Sequence, residues 1–529
     1  LIFSNWLFWS TFRVDVKNGQ ILIDSKLWSD FASHLPLIRS FSWGANFPPE
    51  FPLFSGEPIG YHFLFYALVG FLERISVRLD WALNILSTIG FFGLLSAIYF
   101  LAKLLFKSRV VGTLAVIFFL FNGSFSFFEF LKARPLSWET PWEIFNNTIF
   151  PSFGPYDSKI VSAFWNLNIY TNQRHLALAY AWVLTLVLIF VKTIFANKQL
   201  SIKKSFFLGL ILAVLPLFHG GVFLMALLIF GIFFLLFKKY RLPLFTFILT
   251  ASVLGLPQIL FLKLGATNQV LSLNPGYLIA KNLNLISFLN YWFLNLGLGF
   301  LFIPIGFWLS NQTAKKILLA FSSLFLVANI FQFSPEMAAN HKFFNLWLIV
   351  GNMFSAWTIV WLWQKKWMKA AVPVIILLFT LSGIIDFFAI KNDSIYQISD
   401  AKANPEISWI KNHTPPSARF LNSSFLYHPA SLAGRRVFLG WPYFAWSLGY
   451  DTNKRGLIQK EIFEGNDLET VCNLLRENKI DYLTTEEPPP HPEFGINYAL
   501  FKENFPIFYR NPDNNNFTIY EAKQKCSLI

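Results

Sequence analysis

The stretch WSDFASHLPLIRSFSWGANFPPEFPLFSGEPIGYH, residues 28 to 62, gathers Asp30, His34, Glu50, Glu57 and His62 between segments that are otherwise hydrophobic. Asp30 and His34 stand one helical turn apart and can share a helix face, where a carboxylate can accept a proton beside an orienting imidazole. Further polar groups recur where other apolar runs begin: Arg174 and His175 in TNQRHLALA, and Glu336, His341 and Lys342 in SPEMAANHKFFNLW; His219 lies in PLFHGG. Such a set suits a reaction between a lipid phosphate and a second substrate at a membrane surface. The cations neutralise a departing phosphate, and a carboxylate takes the proton of an attacking hydroxyl or amide. On this reading Asp30, Glu57 and His34 are the catalytic candidates. Arg174, His175, His341 and Lys342 are the donor-phosphate candidates, and Glu50, His62, His219 and Glu336 stand in reserve. Plainer uses exist for several: Asp30 as a helix cap, Glu50 and Glu57 as loop acids, Arg174 and Lys342 as interfacial anchors, His219 as a hydrogen-bonded histidine of a helix turn.

The elements that must position these groups are membrane helices. Of 529 residues 55% are hydrophobic and 14% charged, and the mean hydropathy is +0.48; an apolar core of about 30 Å needs roughly 20 such residues per helix. The runs predict helices at about 81–106, 109–130, 175–196, 204–218, 219–237, 241–262, 286–310, 314–333, 341–363 and 368–390. Residues 204–237 are the weakest point, because one long kinked helix around Pro216 and Gly220 would reverse every later orientation. YHFLFYALVGFLE, residues 61–73, reads either as a shallow or re-entrant helix or as a true span. LIFSNWLFWSTF resembles the end of a hydrophobic segment, which implies a preceding helix, and no cleavable signal peptide is evident.

The net charge of +14 falls in short Lys/Arg clusters between apolar runs, such as Lys238, Lys239 and Arg241 or Lys365, Lys366 and Lys369. That is the mark of cytoplasmic loops rather than of a nucleic-acid binder. The first loop, about 13–60, and the aromatic loop 131–174 then face outward. Composition turns soluble-like near Lys391, so residues 1–390 form a transmembrane domain and 391–529 a small extracytoplasmic α/β domain. Its two cysteines, Cys472 and Cys526, can pair or remain free; spacing does not decide.

These features resemble those of the GT-C fold glycosyltransferases, which include protein O-mannosyltransferases, aminoarabinose transferases and the catalytic subunits of oligosaccharyltransferases. WSDFASHLPLIRSF resembles the first-loop element that opens an interfacial helix with an acid and puts Asp30 at the acidic position; PPEFPLFSGEPIGYHFLFY resembles the Pro- and aromatic-rich lead into the next helix. The resemblance implies transfer of a sugar from a polyprenyl-phosphate donor to a glycan, lipid or protein acceptor at the outer face of a membrane, the plasma membrane being expected. A divalent cation, Mg or Mn held by Asp30 and Glu57, is the cofactor it would admit. The chain departs from the family in lacking a WWDYG signature, and its lone loop acid replaces the Asp-Glu pair of the O-mannosyltransferases. Two other classes compete: a transporter or flippase of a lipid-linked substrate, and a non-catalytic glycan-binding or lipid-binding relative. A transporter would be expected to show repeats and polar groups at the bilayer midplane.

Overall fold

The computed structural model describes residues 1–152, 160–198, 200–266, 271–279, 282–490, 494–514 and 516–527. Parts of the loops 131–174 and 263–285 therefore lie outside the described residues. Among the described residues seven helices are long and apolar enough to cross a membrane: Leu79–Phe106, Arg174–Phe195, Leu215–Leu236, Lys238–Phe261, Gln312–Ile330, Met337–Trp363 and Ala371–Lys391. The protein is an integral membrane protein of mostly helical fold with a strand-containing C-terminal region.

Three predicted helices are corrected. The run 286–310 is two helices, Leu285–Leu296 and Gly299–Leu309, bent by 87°. Gly297 makes the corner with φ +53°, and any Cβ there would stand 1.9 Å from the Gly123 carbonyl oxygen, so only glycine fits. The run 109–130 is broken: one helix ends at Leu120 (Arg109–Leu120) and a short second one, Phe127–Ala133, follows. Between them the chain turns to polar contacts: Asn122 donates to Asp386 at 2.9 Å and accepts from the Ser124 hydroxyl at 2.7 Å. The run 204–218 shortens to Ile202–Ala213. The following break falls at His219, whose φ of −166° and ψ of 94° interrupt Leu215–Leu236; 204–237 is thus not one long helix.

Residues 61–73 form the helix Leu64–Arg74, whose 11 residues cover about 16 Å, half of a bilayer core. It lies against the helix Trp28–Ser42 so closely that a Cβ on Gly70 would meet the Ile38 carbonyl oxygen at 2.6 Å. At that length the helix is too short to be a true span, in keeping with the shallow or re-entrant alternative.

The first loop is stiffened by a three-stranded antiparallel sheet, Phe12–Asp15, Gln20–Asp24 and Ile395–Ser399, with Ile21 opposite Ile398 and Ile23 opposite Phe12. Its third strand follows directly on the last membrane helix, so the C-terminal region begins by completing the first loop. That region then builds a five-stranded sheet in the order Arg436–Val437, Arg419–Leu421, Tyr482–Thr485, Phe517–Glu521, Ile507–Asn511, the last two antiparallel to their neighbours. The amphipathic helix Leu468–Glu477 buries Val471, Cys472 and Leu475. Cys472 pairs with Cys526 across a Cα separation of 5.1 Å, within the range a disulfide spans.

A buried joint locks the two loop helices to the C-terminal region. Arg39 reaches Glu73 at 3.1 Å and Asp400 at 2.8 Å, lies 3.4 Å over the Trp43 ring, and is 2% exposed. Ser42 donates to the free oxygen of Glu73 at 2.6 Å.

Candidate active site

Segments far apart in sequence converge at one end of the helix bundle. Asp30 stands in the first turn of Trp28–Ser42, whose start is fixed by the C-terminal region: the Tyr427 hydroxyl donates to the Trp28 carbonyl, and the Trp28 ring packs 5.4 and 5.7 Å from those of Tyr396 and Tyr427. Asp30 is partly exposed, and among the described residues no donor bonds its carboxylate. Desolvation raises its pKa to about 6, and the opposing charge of Lys342 restrains that rise. Lys342 stands at the start of the helix His341–Trp363, whose backbone is tied at this point by the Tyr180 hydroxyl donating to the Lys342 carbonyl at 2.5 Å. Tyr61, Tyr66 and Tyr427 line the same space. Burial first, and the Asp30 charge in addition, raise their pKa values, so their hydroxyls remain protonated.

His34 is buried against the Tyr66 ring at 4.7 Å. Desolvation, and then the charge of Arg174, press it down to about 3, so it is a neutral ring and not a cation. His62, His175 and His219 form a cluster. The Nε2 atoms of His62 and His175 are 2.7 Å apart, His175 Nδ1 and the Tyr66 hydroxyl 2.9 Å, and the His62 and His219 rings stack at 4.4 Å. Burial, with smaller contributions from His219, Lys342 and His34, lowers the His62 pKa.

Arg174 is corrected. It is fully buried, donating to the Thr171 carbonyl at 2.9 Å, Asn84 at 2.7 Å and Thr11 at 3.0 Å, with its guanidinium 4.7 Å over Phe8. It pins the first helix to Leu79–Phe106 and has no surface on which to meet a phosphate; Lys342, half-buried, is the cation whose charge acts on Asp30. His341 is buried with its ring stacked on Phe164 at 5.0 Å. Glu50 binds Arg436 at 2.9 Å and Arg419 at 3.5 Å and accepts from Gly56 N–H, which makes it a staple to the C-terminal region. Glu57 acts electrostatically on Tyr450 and Arg455, and among the described residues shares no partner with Asp30. Glu336 caps the turn Met337–Asn340 and accepts from the Tyr443 hydroxyl at 2.9 Å.

Among the described residues the group of side chains placed to hold a metal ion is His62, His175 and His219, without Asp30 or Glu57. The tyrosines were missed in the sequence; Tyr66 follows His62 by four residues, a spacing that could have put it forward.

No protein-family model matches the sequence, and no curated protein matches it either. Solved structures do match in shape. The apo oligosaccharyltransferase of Archaeoglobus fulgidus superposes with a TM-score of 0.52 at 10% identity, over 99% of this chain and 74% of that one. The arabinofuranosyltransferase AftD from Mycobacteria gives 0.54 at 13% identity, over 98% of this chain and 39% of that one. Apo ArnT from Cupriavidus metallidurans gives 0.49 at 8%, over 98% and 96%. At such identities the likeness is one of fold. The chain has the GT-C fold, the architecture of membrane glycosyltransferases.

Proposed function

We propose that the protein is a glycosyltransferase that moves a sugar, with inversion, from a polyprenyl-phosphate carrier to an acceptor hydroxyl or amide at the extracytoplasmic face. The observation that carries this reading is the Asp30 carboxylate, bonded by no donor among the described residues, within electrostatic reach of Lys342. Asp30 takes the acceptor proton as the acceptor attacks the anomeric carbon from the face opposite the phosphate. The carbon–oxygen bond to the carrier breaks, and its electron pair leaves on the phosphate. Lys342 offsets that charge. No general acid is needed, since a phosphate departs as a stable anion. Tyr61, whose hydroxyl accepts from Tyr66, keeps its own O–H for donation near the base.

The test is transfer by the purified protein from a panel of polyprenyl-phosphate pentoses and hexoses, with release of polyprenyl phosphate as readout. Transfer from one of them is expected; no transfer from any, with movement of the intact lipid across vesicles, would establish the flippase reading instead. The base must be ionised, so the rate should climb with pH through about 6 and then level. Lys342 favours the carboxylate form of Asp30; removing that charge in Lys342→Met raises the Asp30 pKa and moves the acid limb to higher pH.

The outward orientation of residues 391–529 is part of the proposal. It is supported by the placement of the Lys/Arg clusters and by the disulfide Cys472–Cys526, a bond that persists in oxidising compartments. Leu457→Cys, at a residue 69% exposed, should react with an impermeant thiol reagent in intact cells. Reaction only after lysis would reverse the orientation.

A further inference from the structure

We propose that His62, His175 and His219 form a three-imidazole binding site for a zinc-class divalent metal ion beside the Asp30–Lys342 cleft, with a fourth coordination position open to an anionic oxygen. One ligand nitrogen from each ring lies within 4.8 Å of the others. A tetrahedral ion with metal–nitrogen bonds of about 2.0–2.1 Å sets its ligand nitrogens roughly 3.3–3.4 Å apart. The cluster thus needs ring movements of about an ångström, not a refolding.

The protons fit this assignment. His175 Nδ1 lies 2.9 Å from the Tyr66 hydroxyl, and Tyr66 in turn hydrogen-bonds Tyr61. With its Nδ1–H donated to Tyr66, His175 presents a lone pair at Nε2. His62 Nε2, 2.7 Å away, then carries the proton that fills the gap, and a metal ion takes the place of that proton. A ligating histidine whose second nitrogen donates to a fixed acceptor is the usual outer-shell arrangement. His219 Nε2 is buried with no hydrogen-bond partner among the described residues, so that nothing there offsets its desolvation. Metal on Nε2 puts the ring proton on Nδ1 and gives up only a long 3.3 Å contact from Val222 N–H.

The ligand set also selects the ion. Three neutral imidazoles without a carboxylate suit Zn, Co, Ni or Cu and are a poor match for Mg or Mn, which prefer oxygen. His175 and His219 are buried and His62 is the partly exposed ligand, so the open position lies on its side. Lys342 is within electrostatic reach of all three rings. An ion there, together with Lys342, makes a doubly cationic pocket for phosphate oxygen. The part this plays in donor binding rests on the transferase reading; metal binding does not.

The experiment is carried out on the full-length protein in detergent, without donor. After stripping with chelator and dialysis against Zn²⁺ or Co²⁺, one ion per chain is expected by elemental analysis, and the Co²⁺ form should show the intense visible bands of four-coordinate cobalt, which inorganic phosphate perturbs. His62→Asn, at the partly exposed ligand, and His219→Ala should each lose the stoichiometric ion while retaining the wild-type gel-filtration profile. Tyr66→Phe should weaken affinity by about 10–100-fold, and Asp30→Asn should retain the ion. Substoichiometric metal in the wild type, or full retention in both histidine variants, overturns the site. Loss of the ion in Asp30→Asn with retention in His219→Ala overturns it in favour of a carboxylate site. Metal binding in a protein that transfers no sugar leaves this inference standing and removes the transferase reading alone.

Discussion

Asp30→Asn should lower sugar transfer by about 100-fold or more, the range in which a positioned general base contributes. The variant keeps the shape of the side chain in the first turn of Trp28–Ser42 and removes only the basic oxygen. Its stability should not fall. The raised pKa of Asp30 means that the folded protein holds its proton more tightly than the unfolded chain does, so ionised Asp30 opposes folding above pH 6. An uncharged amide is relieved of that opposition at pH 7. A variant that melts no lower than wild type and yet fails to transfer separates chemistry from folding. Glu57→Gln is the control, since Glu57 acts on Tyr450 and Arg455 rather than on the cleft, and it should keep most of the activity. Full activity in Asp30→Asn would remove the catalytic reading of this loop; a greater loss in Glu57→Gln would move the base there.

Arg39→Met should destabilise the folded protein by about 3–5 kcal/mol, the usual cost of removing one partner from a buried ion pair. The loss comes less from the Coulomb attraction than from what remains: Glu73, held at a side-chain exposure of 8%, loses its cation, and Asp400, more open at 17%, can still reach water. The Arg39→Met/Glu73→Gln double variant should recover part of the loss because it strands no buried acid. Thermal melting in detergent checks both. Melting of the single variant at the wild-type midpoint, or no recovery in the double variant, would show that the joint does not hold the loop helices together.

Much of the bundle was legible because the apolar runs themselves set the helices. The sequence span 341–363 became His341–Trp363 and 368–390 became Ala371–Lys391. The failures have tertiary causes. Nothing local marks the corner at Gly297, which exists because Gly123 lies against it, nor the end at Leu120, where the chain turns to reach Asp386. In the site, Asp30 and Lys342 stood out as ionisable groups beside apolar runs. Arg174 stood out for the same reason and was misread, since an arginine that opens an apolar helix looks like an interfacial anchor until Asn84 and Thr11 are seen to surround it. The histidine cluster was legible only as three separate residues; the topology alone brings them together.

The strand Ile395–Ser399, which completes the sheet of the first loop, has a consequence for biosynthesis. Asp24 pairs with Ile395, and the helix that bears Asp30 begins four residues later, so the segment that carries the proposed base is translated long before the strand that completes its sheet. Contacts this distant in sequence are closed late and slowly. Until the final membrane helix has been inserted, the first two strands expose an unpaired edge, which a chaperone or a stray strand could occupy. A ribosome stalled or a chain cut before residue 395 would leave a bundle with most of its membrane helices and an unfinished first-loop sheet, a form that cells could recognise and degrade.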